Sequence, residues 1–257
     1  MFKAIDHIVI AVAELDAAID HYSSAGFSVV RGGKHSIGSH NALIAFADGA
    51  YIELIAFLSA NTGHPWQTAL EKHGSGLVDF CMVTDNLEAD VATIRHAGAQ
   101  IGDPFAMSRD RPDGFHLNWE LSIPAPPWNA RLPFLIRDLT PRDERVPHER
   151  EHRNGVRGLQ GVAIAVEDPA PLAAIYAQVL GAPGTPIQRA DLDGTGIEFA
   201  IGPHRVQIVA AKSESSPIAK WIRVHGESPF EAKLIATAQA RDQIDPILLG
   251  RARLGIA

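Results

Sequence analysis

A single cysteine, Cys81, serves all 257 residues, which excludes an internal disulfide and a thiolate metal cluster. The chain also lacks any uncharged run of 18 apolar residues, so no segment reads as a membrane-spanning helix. Its start, Met1-Phe2-Lys3-Ala4-Ile5-Asp6-His7, has no long apolar stretch of the kind a secretory signal needs. Positive charge is short: 23 Lys and Arg against 30 Asp and Glu give a net charge of −7. A general nucleic-acid binder would show a basic excess instead. Three familiar motifs are missing too, namely Gly-x-Gly-x-x-Gly, the P-loop and the Gly-x-Ser-x-Gly elbow. These absences leave a cytoplasmic protein with a small-molecule partner, and neither nucleic acid nor membrane, as the expectation.

What is present is a repeat. Ile5–Val12 is an apolar strand, followed by a helical stretch from Ala13 to Ala25 and a stop at Gly26. Leu77–Val83, Asn86–Ala97 and Gly98 repeat that order, as do Val162–Val166, Pro169–Leu180 and Gly181. In the first helix Leu15, Ala18, Ile19 and Tyr22 recur at i, i+3, i+4 and i+7, the spacing of one buried face. Phe27–Val30, Ala42–Phe46 and Tyr51–Phe57 read as three further strands, the last two joined by the hairpin signal Asp48-Gly49. The unit is therefore βαβββ. The second unit adds strands near Ile101, at Leu117–Ser122 and at Leu132–Ile136.

The third unit continues with strands at 196–200 and 205–210. Linking helices are expected at Pro65–His73 and Pro217–His225, each ended by glycine. Beyond them Phe230–Ala236 reads as a strand, Gln243–Leu249 as a short helix and Ala252–Ile256 as a last strand. His73-Gly74 and His225-Gly226 stand 152 residues apart, which makes the chain two halves. The expected division is residues 1–140 with paired modules at about 3–58 and 75–138, a charged connector at 141–155, and residues 156–257 with one full and one truncated module. The connector, rich in Pro and charge, reads as a solvated link. The fold class is α+β, with tandem βαβββ modules in cupped mixed sheets.

Six words in this order resemble a known family. They are Asp6-His7-Ile8-Val9, Gly32-Gly33-Lys34-His35, Gly38-Ser39-His40-Asn41-Ala42-Leu43, Tyr51-Ile52-Glu53-Leu54-Ile55, Arg111-Pro112-Asp113-Gly114 and Leu132-Pro133-Phe134-Leu135-Ile136. Across roughly residues 5 to 160 the chain is similar to the glyoxalase-like domain family of the vicinal-oxygen-chelate superfamily. That resemblance implies four metal-ligand positions on the first and last strands of two modules, which fall here on His7, Glu53, Asp79 and Phe134. His7, Glu53 and Asp79 are thus the implied ligands of a divalent Fe, Mn, Zn, Ni or Co ion, while Phe134 cannot ligate. Strand alternation agrees, since Ile8 and Ile10 suit a helix-packing face and leave His7 toward the cleft. An imidazole with two carboxylates suits such ions and keeps positions open for substrate.

The other candidates are weaker. His35 and His40 lie on the second and third strands, with His40-Asn41 placed to bind a substrate oxygen or to replace Asp79 as ligand. Arg109, Arg111 and Asp113 form a loop that could clamp an anion, or a solvated turn built on Pro112-Asp113-Gly114. Trp119 and Glu120 alternate, so one faces the cleft; Trp119 suits the core, and Glu120 is the acid or base if parity is reversed. Trp128 reads as a cap over the cleft or as a surface loop. Cys81 reads as a small buried residue. In the second half the equivalent positions are Gly161, Gln207 and Glu231, so no metal is expected there and that half is a wall or dimer-forming partner. The leading function is a metal-dependent enzyme on a small oxygenated substrate, of lyase, isomerase, hydrolase or dioxygenase type. The alternative is a metal-free binding protein of the same fold. The superfamily often builds its cleft across a homodimer, which tandem modules would make unnecessary.

Overall fold

The computed structural model describes residues 2–60, 63–126, 130–238 and 253–256. Trp128 and the expected helix at Gln243–Leu249 lie outside these residues.

The first unit is β1 (Ala4–Ala11), α1 (Leu15–Ser24), β2 (Val30–His35), β3 (Ser39–Ala45) and β4 (Tyr51–Phe57). After α2 (Pro65–His73), the second is β5 (Gly76–Val83), α3 (Leu87–His96), β6 (Phe105–Asp110), β7 (His116–Ser122) and β8 (Phe134–Asp138). These eight strands close into a barrel in the order β1-β4-β3-β2-β6-β7-β8-β5. The cup expected from the repeat is closed because β2 meets β6, pairing His35 with Arg109 and Lys34 with Asp110.

Local signals explain the helices. Asn86 caps α3 through the Ala89 amide, and His64 caps α2 through Trp66 with Pro65 at the first turn. Both α1 and α3 are followed by a positive-φ glycine, Gly26 and Gly98, a conformation that side chains resist. Two strand expectations shift. The second strand of unit one begins at Val30 rather than Phe27. Ile101 makes only an isolated bridge to Pro124, and the strand expected around it is β6, four residues later. An apolar side chain marked the position, but the pairing partner lay further on.

The second half follows α4 (Arg142–Arg145): β9 (Val156–Ala165), α5 (Pro169–Leu180), β10 (Thr185–Arg189), β11 (Gly194–Ile201), β12 (His204–Ala211), α6 (Pro217–His225), β13 (Ser228–Ala236) and β14 (Arg253–Ile256). Its sheet is open, in the order β10-β11-β12-β9-β13-β14. Between the halves runs one shared core, in which Ile8, Ile52 and Phe80 meet Val162, Ile164 and Val206. Each such buried apolar side chain contributes about 1.5–3 kcal/mol against exposure. The opposite face of β1, with Val9 and Ala11, turns into the barrel beside Cys81, Trp119 and Phe134. Alternation along β1 therefore separates a packing face from a cavity face, and His7 belongs to the second.

The connector differs from a solvated link. Arg145, His152 and Asn154 are all buried. Arg145 enters the barrel end, and His152 joins Ser28 to Ala45 by accepting from the Ser28 amide and donating to the Ala45 carbonyl, both at 3.0 Å. No described helix is long and apolar enough to cross a membrane.

Candidate active site

Inside the barrel is a cavity of about 240 Å³. Its wall is largely aromatic and aliphatic, including Trp66, Met107, Trp119, Leu121, Phe134 and Ile136. Its polar groups are His7, His35, Tyr51, Glu53, His64, Arg109 and Arg145. A small-molecule site commonly has this character: an apolar wall with a few placed polar groups.

Glu53 is at the centre of the polar set. Its Oε2 lies 3.6 Å from His7 Nε2 and its Oε1 lies 3.6 Å from His35 Nε2. Asn41 Nδ2 donates to Oε1 at 2.6 Å. Burial alone would raise the Glu53 carboxyl, but His7, His35, the Asn41 hydrogen bond and Arg109 hold it below its ordinary value. His35 is pushed down to about 4, burial outweighing the pull of Glu53, so at neutral pH its ring is uncharged.

The second nitrogen of each ring decides what the first can do. His7 Nδ1 is 2.7 Å from Asp6 Oδ2. An ionised carboxylate only accepts, so Nδ1 carries a proton toward Asp6 and Nε2 is the nitrogen turned to Glu53. His35 Nδ1 lies 2.9 Å from Ser39 Oγ and its Nε2 lies 3.4 Å from Asn41 Nδ2, an arrangement that leaves Nε2 as acceptor. Tyr51 stacks on His7 with ring centres 4.6 Å apart, fixing the ring plane.

Asp6 is itself enclosed. Arg145 donates to both of its oxygens, at 3.0 and 3.1 Å, and Arg142 also donates to it. Burial pushes the Asp6 carboxyl up, but Arg145, the His7 hydrogen bond and Arg142 outweigh it and hold it well below the usual carboxylate range. Asp6, His7 and Cys81 also form a compact group of donors, within 4.8 Å of one another. Two guanidiniums already neutralise Asp6, and burial drives the Cys81 thiol up toward its protonated form. That group is therefore a poor cation site, whereas around Glu53 no guanidinium bonds the carboxylate, and Asn41 alone donates to it and approaches His35 Nε2.

The remaining residues fall as follows. Asp79 is buried on the strand neighbouring β1, yet its carboxylate accepts from the Trp66 indole at 3.0 Å and from the Phe80 amide at 2.8 Å. It is not part of the cavity wall. The β1–β5 register sets Cys81, not Asp79, directly beside His7. Phe134 fills the fourth position, edge-on to His7 at 5.4 Å. His40 points away from the cavity, among Asp16, Arg31 and Lys34, while its neighbour Asn41 points in. Arg109 and Trp119 line the cavity. Arg111 pairs with Asp113 and Glu144 outside it, and Glu120 pairs with Arg137. His64, Trp66, Tyr51 and Arg145 line the cavity and were not singled out as site residues from the sequence.

In the second half, Gln207 and Glu231 do converge, but on a side chain. Arg189 donates to Gln207 Oε1 at 2.8 Å and to Glu231 Oε2 at 2.7 Å, with Asp191 as a further partner. A guanidinium occupies the place where a metal would need donors.

The comparisons agree with this architecture. Among solved structures, a hypothetical protein from Staphylococcus aureus superposes with a TM-score of 0.68 at 14% identity, covering 98% of this chain and 99% of its own. A triple mutant of 4-hydroxymandelate synthase from Streptomyces coelicolor gives 0.62 at 14% identity, over 95% of this chain and 74% of its own. A fusion of a xylose isomerase-like TIM barrel with 4-hydroxyphenylpyruvate dioxygenase gives 0.58 at 14% identity, over 95% of this chain and 38% of its own. At these identities the likeness is one of fold. No curated protein matches the sequence. The glyoxalase-like domain matches residues 5–180, well over half of the chain. With a match of that extent, the chain belongs to the glyoxalase-like domain family.

Proposed function

We propose that this protein is a metal-dependent enzyme acting on a small oxygenated organic molecule held in the barrel cavity. The observation that carries the reading is the pair of 3.6 Å approaches of His7 and His35 Nε2 to the two oxygens of buried Glu53. A nitrogen and an oxygen 3.6 Å apart stand at about the separation of two ligands each about 2.0–2.2 Å from one ion, so a cation between either pair would satisfy both atoms. His7, Glu53 and His35 would hold it, with Asp6 fixing His7 from behind as an outer carboxylate. Asp79 would serve only after leaving Trp66. A bound divalent ion would supply Lewis acidity at a substrate oxygen. The chain's own residues then orient the substrate. Trp119, Phe134 and Met107 exclude water, and Tyr51 keeps the His7 ring in plane.

Elemental analysis of the wild type beside His7→Ala, His35→Ala and Glu53→Ala tests this. About one equivalent of a transition metal, lost in all three variants, is the expected result. No metal after reconstitution with Fe²⁺, Mn²⁺ and Zn²⁺ would overturn it. The second reading, a metal-free binding protein, is favoured by Phe134 at the fourth ligand position and by the Trp66 bond to Asp79. Under that reading chelation leaves the melting temperature unchanged, whereas a tight metal raises it and chelation removes the gain.

A further inference from the structure

Three arginines are buried among the described residues: Arg109, Arg145 and Arg189. Two of them are matched by carboxylates. Arg145 contacts Asp6 and Asp138, and Arg189 contacts Asp191 and Glu231. Arg109 is the exception. It is 3% exposed, and no described carboxylate comes within ion-pair distance of it. Its Nη2 donates to the Arg145 carbonyl at 2.9 Å, its Nη1 reaches Asn41 Oδ1 only at 3.5 Å, and its Nε has no partner at all.

Guanidinium keeps its charge even when buried. A buried charge without a counter-charge is costly, and proteins rarely retain one without compensation. Arg109 stands on the inner face of β6, beside His35 in the register, and lines the cavity. Its nearest link to an anion is indirect, through Asn41 to Glu53. If Glu53 serves a metal, that anion is used elsewhere and the deficit around Arg109 grows.

We infer that Arg109 is the specificity-determining residue of the cavity and that the substrate is a small organic monoacid whose carboxylate it pairs. The inference rests on the proposed function for placing the substrate in this cavity. A carboxylate fits better than a phosphate because one guanidinium brings one positive charge, which a monoanion matches and a dianion exceeds, and only two of its five N–H groups are engaged, one of them in a long contact. A dianion would leave most of its oxygens against Met107, Trp119 and Leu121 without donors. The body of the acid would lie on that same wall, and its oxygens would reach Glu53's side of the cavity.

Calorimetric titration of the whole protein with benzoate and hexanoate, against benzamide and hexanamide, tests the idea. The acids are expected to bind on the order of tenfold or more tightly than the amides, the worth of a charge-assisted hydrogen bond. Arg109→Gln should abolish that preference, bringing acid binding down to the level of the amides. Arg109→Met provides the check on folding, because it removes a buried charge together with one hydrogen bond to the Arg145 carbonyl and should lower the melting temperature by no more than a few degrees. Equal binding of acid and amide to the wild type, no binding of either acid, or a preference that survives in Arg109→Gln would each overturn the proposal. A wild type without metal that still prefers acids through Arg109 would overturn the metal enzyme and leave this inference standing.

Discussion

Replacing Asp6 by Asn should damage both the fold and the site. The carboxylate is completely buried and receives a two-point contact from Arg145, a further bond from Arg142 and the His7 Nδ1 contact at 2.7 Å. Asparagine keeps the shape but removes the charge, and its amide hydrogens would face guanidinium donors. Arg145 would retain Asp138 as its only carboxylate, beside the Tyr51 hydroxyl. Removing one partner of a buried ionic cluster costs about 3–5 kcal/mol. For a chain of this size that lowers the melting temperature by roughly 6–20 °C. His7 also loses its anchor, which should weaken metal binding about 10–100-fold. Thermal melts and metal titration read the two effects separately. The pH dependence follows from the depressed carboxyl. Its contribution is present above the ordinary carboxylate range and is lost as pH falls through its folded value, well below that range. The stability gap between wild type and Asp6→Asn should hold from neutral pH down to about 4 and close below it. A drop under about 2–4 °C, worth 1 kcal/mol, would refute the reasoning.

Other residues give sharper, smaller tests. Asp79→Asn should leave metal stoichiometry unchanged, whereas Glu53→Gln should abolish binding; loss of metal in Asp79→Asn would restore Asp79 as a ligand. His152 is held below its ordinary value by burial, against the pull of Ala45, and its Nδ1 already accepts from Ser28. A depressed histidine stabilises above the unfolded value near 6.5 and loses that contribution as pH falls, so His152→Gln should flatten the acid limb of the stability curve by at most about 1.4 kcal/mol per pH unit. Parallel slopes in urea melts would reject this. Arg189→Met should cost about 3–5 kcal/mol by leaving Glu231 buried and unpaired, and Arg189→Met with Glu231→Leu should recover much of it. A double variant no more stable than the single one would contradict the pairing.

The repeat was legible because each helix carries its own stop and each strand its own alternation. Leu15, Ala18, Ile19 and Tyr22 made one face, and Gly26 ended it. Parity set His7, Glu53 and Asp79 toward the cleft; His7 and Glu53 line the cavity and Asp79 does not, and of Trp119 and Glu120, between which alternation left the choice open, Trp119 lines it. Nothing in the local pattern set the facing of His35, because β2 carries a register irregularity between Arg31 and Gly33. Gly33 adopts a φ of 138° there, and a Cβ on it would sit 1.9 Å from the Asp110 carbonyl. The Gly32-Gly33 pair was the available sign of such a bulge. The burial of the connector had no local sign. Asp6 and Arg145 are 139 residues apart in sequence, and a charge-rich stretch is as compatible with a solvated loop as with a plug.

The two halves then show one architecture answering the same electrostatic problem differently. Equivalent strand positions put acidic or amide side chains on a concave sheet, and such groups need a cation. In the second half the cation is covalently supplied: Arg189 reaches Gln207 and Glu231, and only a minute cavity remains beside them. In the first half the equivalent donors have no such side chain. Arg145 is committed to Asp6 and Asp138, and Arg109 stops at Asn41, one residue short of Glu53. The first half consequently keeps a cavity of about 240 Å³, with acceptors on one side and an unmatched guanidinium on the other. A metal answers the acceptors and an organic acid answers the guanidinium. Each can be withheld alone, so separate losses of metal and of acid preference in Glu53→Gln and Arg109→Gln would establish them as two sites rather than one.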